Sequence, residues 1–539
     1  MIVFGSRGSD LALTQTRAVA TALRAATGEE FRVEVIETRG DRDLDRPLPT
    51  IGGKGLFTAE LEAALLGGRI DAAVHSMKDL PVELREELVI GAVPARAAHE
   101  DVLVYDPAVE DQGGAFVPLR AGCRVGTSSH RRRAALALHR KDLEYADVRG
   151  NVPTRVAKVR RGEYGAVVLA AAGLDRLDLP LDGLKRLALP AQWCPPAPAQ
   201  GALAVQCRAN DARVRALLAQ LHHPLSARCA GAEREVLAVL GGGCSMPLGA
   251  LVTADECGFR MQLGLFARPD LHPGQSAALF QELRGSDPSS LARIAAAEWA
   301  ALVGEPLLGV AVTLLRPEGS GSELADALAI AGAKVRTVHL TRIVSLPGVA
   351  VSSRRLRDRA IAFSSARAVE RFFAIVAPAD VARGPVFAAG AATAAAIRAR
   401  GVACSCPSEG SGGAAMARHV LASALPPGGI LYPCAEDRHP EFEAALKPAR
   451  IAVDPLPLYR SEPIDAVQVP EAHGEWLLFT SPSAVRAYVA APREGRSRHL
   501  ALGDTTAAVM HQLLVRCDAV AARPTAASLI SCLLESSHA

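Results

Sequence analysis

The chain has 539 residues, which is too many for one hydrophobic core, so we expect several domains. Its 60 basic and 57 acidic side chains leave a net charge of only +3, and this balance argues against a general nucleic-acid binder. No apolar stretch free of charge and proline is long enough to cross a membrane, and the first residues do not resemble a secretion signal. The eleven cysteines are scattered without paired zinc spacing, which predicts reduced thiols in a cytoplasmic protein without a metal site.

Strand and helix signals alternate along the first third of the chain. Short apolar runs predict strands at 2–4, 32–38, 72–74, 89–93 and 103–105. Apolar spacing of three and four predicts helices at 11–26, where Gly28 follows, and at 57–66. The same alternation resumes at 133–139 and 166–171. This order predicts two α/β domains with parallel or mixed sheets.

A proline-rich break at 194–201 marks a crossing or a boundary. After it we expect a helix at 227–240 that stops at Gly241, strands across 248–266 and a helix at 291–302, which together predict a smaller α+β domain. The pattern restarts near 304–306. Further elements are predicted as strands at 308–315, 335–340, 360–363 and 476–480, with a helix at 323–332. The echo of AFSSARAV in FTSPSAVRAYV predicts two lobes of one α/β type.

Two arginine-rich segments predict binding of an anion. Gly126–Ser129 is a small polar turn before Arg131, Arg132 and Arg133, where free backbone N–H groups and guanidinium forks could hold carboxylates. Arg149, Gly150, Asn151, Thr154 and Arg155 repeat that composition. The alternative interpretation is that these arginines lie on solvated helix faces.

Two further segments could carry chemistry. Lys78 and Asp79 closely follow the apolar run 72–74. A carboxylate beside a lysine at the end of a strand can exchange protons and stabilise a developing cation. The alternative is that Asp79 caps a helix and Lys78 forms a salt bridge. Cys244 follows three glycines, so its thiol is expected to be mobile and accessible, unless it is a buried cysteine after a helix end. His75 is interpreted as a structural histidine.

A resemblance covers residues 1 to about 303. The segments GSRGSDLAL, DRPLPTIGGKGLF, AAVHSMKDLP, VGTSSHRRR, VRGNVPTRVAKV, LAAAGLDRL, PAQGALAVQCR and GGGCSMPLGA are similar, in this order, to porphobilinogen deaminase, also called hydroxymethylbilane synthase. The resemblance implies two periplasmic-binding-protein-like α/β domains plus a small α+β domain. It also implies condensation of four porphobilinogens on a dipyrromethane cofactor, covalently attached through Cys244.

The resemblance implies roles for individual residues. Asp79 and Lys78 would be catalytic. The residues implied to line the cofactor are Cys244, Arg7, Ser9, Gln15, Ser76, Lys78, Asp79, Thr127, Ser128, Ser129, Arg131, Arg132, Arg149, Gly150, Asn151 and Arg155. Lys54 and Phe57 would contact the substrate, with Phe57 on a mobile loop.

From 308 onward the chain resembles uroporphyrinogen-III synthase, a two-lobed α/β enzyme that closes hydroxymethylbilane into a ring with loss of water. The resemblance rests on TLLRP, AFSSARAV, AAGAATAAAI, PLYRSEP, FTSPSAV and ALGDTTAAV, in that order. It implies that Tyr459 helps the hydroxyl group depart. The implied substrate-binding residues are Arg316, Ser364, Ser365, Thr480, Ser481, Ser483, Thr505 and Thr506, whose hydroxyls could instead be ordinary helix caps.

These resemblances imply a three-domain deaminase followed by a two-lobed synthase. The expected ranges are 1–96 with 198–216, 97–197 and 217–303 for the three deaminase domains, then 307–343 with 462–539 and 344–461 for the two synthase lobes. We expect a monomer that acts on small molecules, without nucleic-acid or membrane partners. The alternatives are a deaminase with a degenerate synthase half, a solute-binding module, or a nucleic-acid binder that contacts phosphates through Arg131, Arg132 and Arg133.

Overall fold

The computed structural model describes most of the chain. The described residues are 1–38, 58–111, 116–242, 246–268, 270–271, 275–381, 384–407, 412–436, 438, 440–464, 467–470, 474–491, 493–494 and 497–537. By contacts the chain divides into a first unit (Met1–Ala311, Ser322–Val335 and Pro524–Ala539) and a second unit (Val312–Gly321 and Arg336–Arg523). Among the described residues, no helix combines the length and the apolar character needed to cross a membrane.

Strands and helices alternate up to residue 302. The strands are β1 (Ile2–Ser6), β2 (Phe31–Val35), β3 (Ala72–Ser76), β4 (Leu88–Ala92), β5 (Asp101–Tyr105), β6 (Arg124–Gly126), β7 (Glu144–Ala146), β8 (Ala166–Ala170), β9 (Lys185–Leu189), β10 (Leu203–Arg208), β11 (Leu248–Asp255), β12 (Gly258–Phe266) and β13 (Ala278–Gly285). The α-helices are α1 (Asp10–Thr27), α2 (Ala59–Leu66), α3 (His130–His139), α4 (Val152–Arg160), α5 (Ala171–Leu177), α6 (Ala212–Leu218), α7 (Pro224–Val239) and α8 (Pro288–Trp299). Short 3-10 helices span Met77–Asp79, Pro107–Val109, Ala219–Leu221 and Ala300–Leu302.

Sheet 1 has the strand order β2-β1-β3-β10-β4. β1 runs parallel to β2 and β3, whereas β10 runs antiparallel to β3 and β4. Helix α1 begins where Ser9 accepts a hydrogen bond from Ala12 N and ends at Gly28, whose φ of 71° suits a glycine cap. Its buried face, with Val19 and Leu23, packs against Phe4 in the core of this sheet.

Sheet 2 has the order β7-β6-β8-β5-β9 and the same mixture of strand directions. β6 is parallel to β7 and β8, and β5 is antiparallel to β8 and β9. Both sheets therefore confirm the prediction of mixed α/β sheets. In mixed sheets of this kind the carboxyl ends of the parallel strands are where ligands bind, and the turns after β3, β6 and β7 occupy those positions.

Sheet 3 is an antiparallel meander, β11-β12-β13, covered by α7 and α8. The predicted helix at 227–240 is confirmed and starts three residues earlier, since His223 caps it by accepting from Ser226 N and Pro224 takes the first helical position. Helix α7 stops before Gly241, which has φ of 65°. The cysteine of the glycine loop, Cys244, lies outside the described residues.

The remaining strands form one large sheet and one small pair. The strands are β14 (Ala311–Pro317), β15 (Lys334–Ser345), β16 (Ala360–Phe363), β17 (Val386–Ala388), β18 (Ile430–Ala435), β19 (Val453–Pro463), β20 (Val469–Pro470), β21 (Trp476–Phe479), β22 (Arg493–Glu494), β23 (Arg498–Ala501) and β24 (Ala519–Val520). The large sheet has the order β17-β16-β18-β19-β15-β14-β21-β23-β24, and β20 pairs with β22. β15 and β19 pair antiparallel at its centre, between two groups of parallel strands.

The helices of this part are α9 (Glu323–Ile330), α10 (Ser353–Leu356), α11 (Ala366–Phe373), α12 (Pro378–Val381), α13 (Ala391–Arg398), α14 (Gly413–Leu421), α15 (Glu441–Leu446), α16 (Pro482–Ala490), α17 (Asp504–Gln512) and α18 (Ala526–Ser537), with a 3-10 turn at Lys447–Ala449. Helices α9 and α18 belong to the first unit, although both follow residues of the second unit in the chain. The two contact-defined units are therefore not continuous in sequence. The five domain ranges stay predictions.

Several strand boundaries differ from their predictions: β2, predicted at 32–38, ends at Val35, β15, predicted at 335–340, continues to Ser345, and β14 starts late. The strand expected at 308–315 begins at Ala311, because Leu308 N and Val310 N donate to Glu305 O and Leu307 O in a turn. Gly309 completes this turn with φ of 86°, a conformation that glycine adopts without strain.

Candidate active sites

Lys78 and Asp79 occupy a 3-10 turn at the carboxyl end of β3. Arg234 of α7 holds this turn by donating to Met77 O, Leu80 O and Pro81 O at 2.8, 2.7 and 2.6 Å. The turn leaves the Asp79 side chain exposed and the Lys78 side chain half-buried. The Asp79 carboxylate thus lies exposed at the carboxyl end of the central strand of sheet 1, on a turn that the buried Arg234 guanidinium fixes.

The amine of Lys78 reaches the residues of sheet 2 through Gln200. Lys78 Nζ donates to Gln200 Oε1 at 3.2 Å, and Gln200 Nε2 donates to Asp101 Oδ1 at 2.9 Å. Burial lowers the pKa of the Lys78 amine, and the positive charge of Arg132 lowers it further. The negative charges of Asp79 and Asp101 act in the opposite direction. Lys78 therefore lies among the charged groups that the sequence assigned to the second α/β domain.

Asp101, at the start of β5, pairs with two of the three predicted arginines of α3, whereas Arg133 pairs with Asp147. Arg131 Nη1 lies 2.7 Å from Asp101 Oδ2 and Arg132 Nη2 lies 2.6 Å from Asp101 Oδ1. Burial opposes ionisation of this fully buried carboxyl, but Arg131 and Arg132 outweigh it and hold its pKa well below its usual range. Arg131 and Arg132 are buried as well, so they do not lie on a solvated helix face.

The polar turn before α3 is held by its own hydroxyl groups. Ser129 caps the helix by accepting from Arg132 N at 3.4 Å, and Thr127 Oγ1 accepts from Ser129 N at 3.3 Å. Ser128 Oγ donates to Val148 O and accepts from Val148 N, at 3.0 and 3.1 Å. These hydroxyls fix the two turns of sheet 2 against each other.

The second arginine segment carries positive charge, and among the described residues neither Arg149 nor Arg155 has an ion pair with a carboxylate. Asn151 caps α4 by accepting from Thr154 N at 3.0 Å, and Arg155 Nε donates to Gly150 O at 2.8 Å. Burial, together with the charges of Arg132 and Arg149, lowers the pKa of Arg155 to about 10. Arg149 Nη2 is buried and has no hydrogen-bond partner among the described residues. An anionic group at this place would satisfy that donor and offset the repulsion between the guanidiniums.

Residues of α1, β3 and β10 lie next to the Lys78–Asp79 turn. Gln15 Nε2 donates to Ser76 Oγ at 3.3 Å, and Ser9 caps α1. His75 Nε2 lies 3.1 Å from Gln206 Oε1. Burial lowers the pKa of His75 to about 4, with a contribution from the charge of Arg7, so this side chain is a neutral, buried histidine near neutral pH.

The structure brings one part of the predicted site together. Lys78, Arg131 and Arg132 form one network, and Arg149 and Arg155 lie close to Arg132. Lys54, Phe57 and Cys244 lie outside the described residues. The sequence interpretation missed Asp101 and Gln200, although Gln200 lies in the PAQG segment and Asp101 is a charged residue directly before an apolar run.

In the second unit, Tyr459 lies on β19 and is buried. Its hydroxyl is 3.0 Å from Ser365 Oγ, which caps α11 by accepting from Ala368 N at 3.1 Å. Ser364, the preceding residue, is hydrogen-bonded to Tyr432, and burial raises the pKa of that second phenol. Two tyrosines thus bond to the adjacent Ser364 and Ser365, and the sequence interpretation recognised only Tyr459 of them.

The other predicted residues of this unit hold turns. Ser481 caps α16 by accepting from Ala484 N at 3.3 Å and lies 3.0 Å from Ser483 Oγ. Thr480 Oγ1 donates to Leu315 O at 3.0 Å, and Arg316 bonds to Gly321 O. Thr505 is exposed and Thr506 is buried at the start of α17. The helix-cap interpretation holds for Ser365 and Ser481, and a cap still leaves neighbouring N–H groups able to bind an anion.

The structure defines an α/β protein in which a lysine–aspartate turn of one sheet meets guanidinium groups beside a second sheet. Among the described residues, Arg149 Nη2 is a buried donor without a partner, which suits an anionic ligand. Residues 2–216 match the family model described as porphobilinogen deaminase, dipyromethane cofactor binding domain. Residues 322–531 match the model described as uroporphyrinogen-III synthase HemD.

Curated relatives support the first match. The porphobilinogen deaminase of Moorella thermoacetica is 48% identical over 270 residues, which is 50% of this chain and 84% of that protein. That of Shouchella clausii is 44% identical over 295 residues, 54% of this chain and 93% of that protein. The chain therefore belongs to the porphobilinogen deaminase family, and its residues 322–531 match the uroporphyrinogen-III synthase model.

Solved structures of uroporphyrinogen-III synthases align with less similarity. A mutant synthase from Thermus thermophilus is 17% identical with a TM-score of 0.29, covering 43% of this chain and 99% of that chain. The Helicobacter pylori protein is 14% identical with a TM-score of 0.31, covering 41% and 96%. The assignment of the second half rests on the family match and not on these structures.

Proposed function

We propose that this chain performs two successive reactions of tetrapyrrole biosynthesis. It condenses four porphobilinogen molecules into hydroxymethylbilane with release of ammonia, and then closes that product into uroporphyrinogen III with inversion of the last ring. The observation that carries the proposal is the succession of the two family matches on one chain. Either a solute-binding module or a nucleic-acid binder would leave the Lys78–Asp79 turn without a role.

We propose a three-domain architecture for the deaminase half, two periplasmic-binding-protein-like domains and a small α+β domain, followed by a two-lobed synthase. Sheets 1, 2 and 3 support the first three domains. The antiparallel pairing of β15 with β19 between two groups of parallel strands supports the two lobes.

The residues of the first site fit a dipyrromethane. Its acetate and propionate side arms need cationic donors, and the unpartnered Arg149 Nη2 beside Arg155 and Arg132 supplies them. Cys244 would hold the group through a thioether. When bound, dipyrromethane supplies the primer to which the pyrrole units are added.

Asp79 would act on the reacting pyrrole from the exposed end of the 3-10 turn. Its carboxyl group can give a proton to the amine that leaves as ammonia. The resulting carboxylate can stabilise positive charge on a pyrrole nitrogen. Lys78, fixed by Gln200 beside it, would bind a carboxylate side arm of the substrate.

Mass spectrometry of the intact protein tests the cofactor assignment. We expect the purified chain to exceed its sequence mass by two pyrrole units, and Cys244→Ser to lack that addition and to consume no porphobilinogen. Cys257→Ser is the matched control, because Cys257 is an exposed cysteine of the same region and should keep the addition. An addition that survives in Cys244→Ser would contradict the assignment.

In the synthase half, the Tyr459 hydroxyl would donate a proton to the departing hydroxyl group of hydroxymethylbilane. Tyr459→Phe should slow formation of the type III isomer about 100-fold, a typical loss for one general acid, while porphobilinogen consumption stays unchanged. The readout is the ratio of uroporphyrin isomers, because hydroxymethylbilane that is not captured closes to the other isomer. Tyr488→Phe, which removes a buried phenol paired with His499, should keep the type III yield. Full type III yield from Tyr459→Phe would exclude this role.

We also propose that the protein acts in the cytoplasm. The cysteines of the described residues are unpaired, as expected for a reducing compartment.

A further inference from the structure

Gln200 is a fully buried amide at the meeting point of the lysine turn and the arginine network. Its oxygen accepts from Lys78 Nζ at 3.2 Å and from Arg132 Nη2 at 3.4 Å. Its nitrogen donates to His99 O and Asp101 Oδ1, both at 2.9 Å. A single side chain therefore links the turn after β3 with β5 and α3.

The orientation of this amide follows from its partners. A flipped amide would place NH₂ against the donors Lys78 and Arg132, and its oxygen against two acceptor oxygens, so every one of the four bonds would be lost. The backbone is fixed as well, because Arg96 Nε donates to Gln200 O at 2.8 Å and Arg96 forms a two-pronged ion pair with the buried Glu233 at 2.6 and 2.9 Å. The oxygen of Gln200 is thus held toward Lys78.

Four charged groups act on the Lys78 amine. Asp79 lies on its own turn, Asp101 lies on β5, and Arg131 and Arg132 lie on α3. Among the described residues, Nζ has one hydrogen-bond acceptor, Gln200 Oε1. In a half-buried place, an ammonium ion that loses its acceptor is disfavoured relative to the neutral amine.

We propose that Gln200 is a positioning residue of the deaminase site, which orients the Lys78 side chain and keeps its amine in the ammonium form that binds a carboxylate. The functional part of this inference rests on the proposed deaminase activity, whereas the geometric part does not. Lys78 is the group that touches the substrate, and Gln200 acts through it.

The test is the pH dependence of Lys78 acetylation in the full-length chain. Trace acetic anhydride labels neutral amines, so the labelling of the Lys78 peptide, followed by mass spectrometry across pH, reports the midpoint of its titration. Gln200→Leu removes the acceptor and favours the neutral amine, so the midpoint should fall by about one pH unit, the value expected for one hydrogen bond to a charged group. Gln200→Asn draws the amide away from Lys78 but keeps a polar side chain, and should shift the midpoint the same way by less.

Gln206→Leu is the matched control. Gln206 is also fully buried and lies on β10, but it bonds to His75 and Glu62 at 3.1 and 3.2 Å. Its replacement should leave the Lys78 midpoint in place. Equal shifts in the Gln200 and Gln206 variants would show general loosening and overturn the proposal, as would an unchanged midpoint in both Gln200 variants.

A kinetic measurement tests the functional part. In the pH profile of the rate of porphobilinogen consumption, the alkaline limb should move to lower pH in Gln200→Asn. The size of this move should equal the shift of the Lys78 midpoint measured by labelling. An unmoved limb would overturn the role of Gln200 in the reaction. Labelling needs no turnover, so the geometric result is obtained whether or not the chain proves to be a deaminase.

Discussion

Replacing Asp79 with asparagine will reduce porphobilinogen consumption about 1,000-fold, in the range lost when a positioned acid–base group is removed. Asparagine has the same shape but can neither release a proton to the departing amine nor stabilise a cation with a full negative charge. Because Asp79 is exposed and its turn is held by Arg234, the fold should be unaffected. The measurement is steady-state consumption of porphobilinogen by purified variants that carry the cofactor.

The matched control for this variant is Glu86→Gln, which neutralises another exposed carboxylate of the same segment. It should consume porphobilinogen at the original rate. Comparable loss in both variants would point to a long-range charge effect, and unchanged turnover in Asp79→Asn would exclude the carboxylate from the reaction.

Replacing Asp101 with asparagine will lower the free energy of unfolding by about 3–5 kcal/mol, because it leaves two buried guanidiniums without their counter-charge. Asp101 pairs with Arg131 and Arg132 and is itself fully buried. The exposed pair of Arg161 and Glu163 provides the comparison, since Glu163→Gln should cost less than about 1 kcal/mol. Denaturant unfolding of the full-length variants measures both values.

The Asp101 pair also predicts a pH dependence. The folded pKa of this carboxyl lies below its ordinary value of 3.8, so its contribution to stability is fully present above that pH. It is lost as the pH falls further, toward the folded pKa. Asp101→Asn should therefore show a smaller fall in stability below about pH 4 than the unsubstituted protein. Identical acid profiles would contradict the assignment of a depressed pKa to Asp101.

Much of the fold could be predicted from local signals. Helix α1 has a serine cap and a glycine end, and helix α7 has a proline at its first position, so local rules place both within three residues. The predicted start of β14 is wrong because an apolar run at Leu307 and Leu308 continues the strand pattern while the backbone makes a turn. Local patterns also cannot show that α9 and α18 lie in the first unit, since that depends on contacts distant in sequence.

The candidate site was predictable where a motif carries several charged residues at once. Arg131, Arg132, Arg149 and Arg155 stand out in this way. Asp101 and Gln200 do not, because each is a single polar residue whose partners lie about thirty to more than one hundred positions away in the chain. Tyr432 was missed for the same reason, since its partner Ser364 lies on a different strand end.

The most direct test of the whole account is the isomer of uroporphyrinogen made from porphobilinogen alone by the purified full-length chain. After oxidation, chromatography separates the type I and type III uroporphyrins. We predict that type III dominates, because hydroxymethylbilane released by the first half is captured and closed by the second. A product that is entirely type I would contradict synthase activity, and the absence of any porphyrin would contradict both activities.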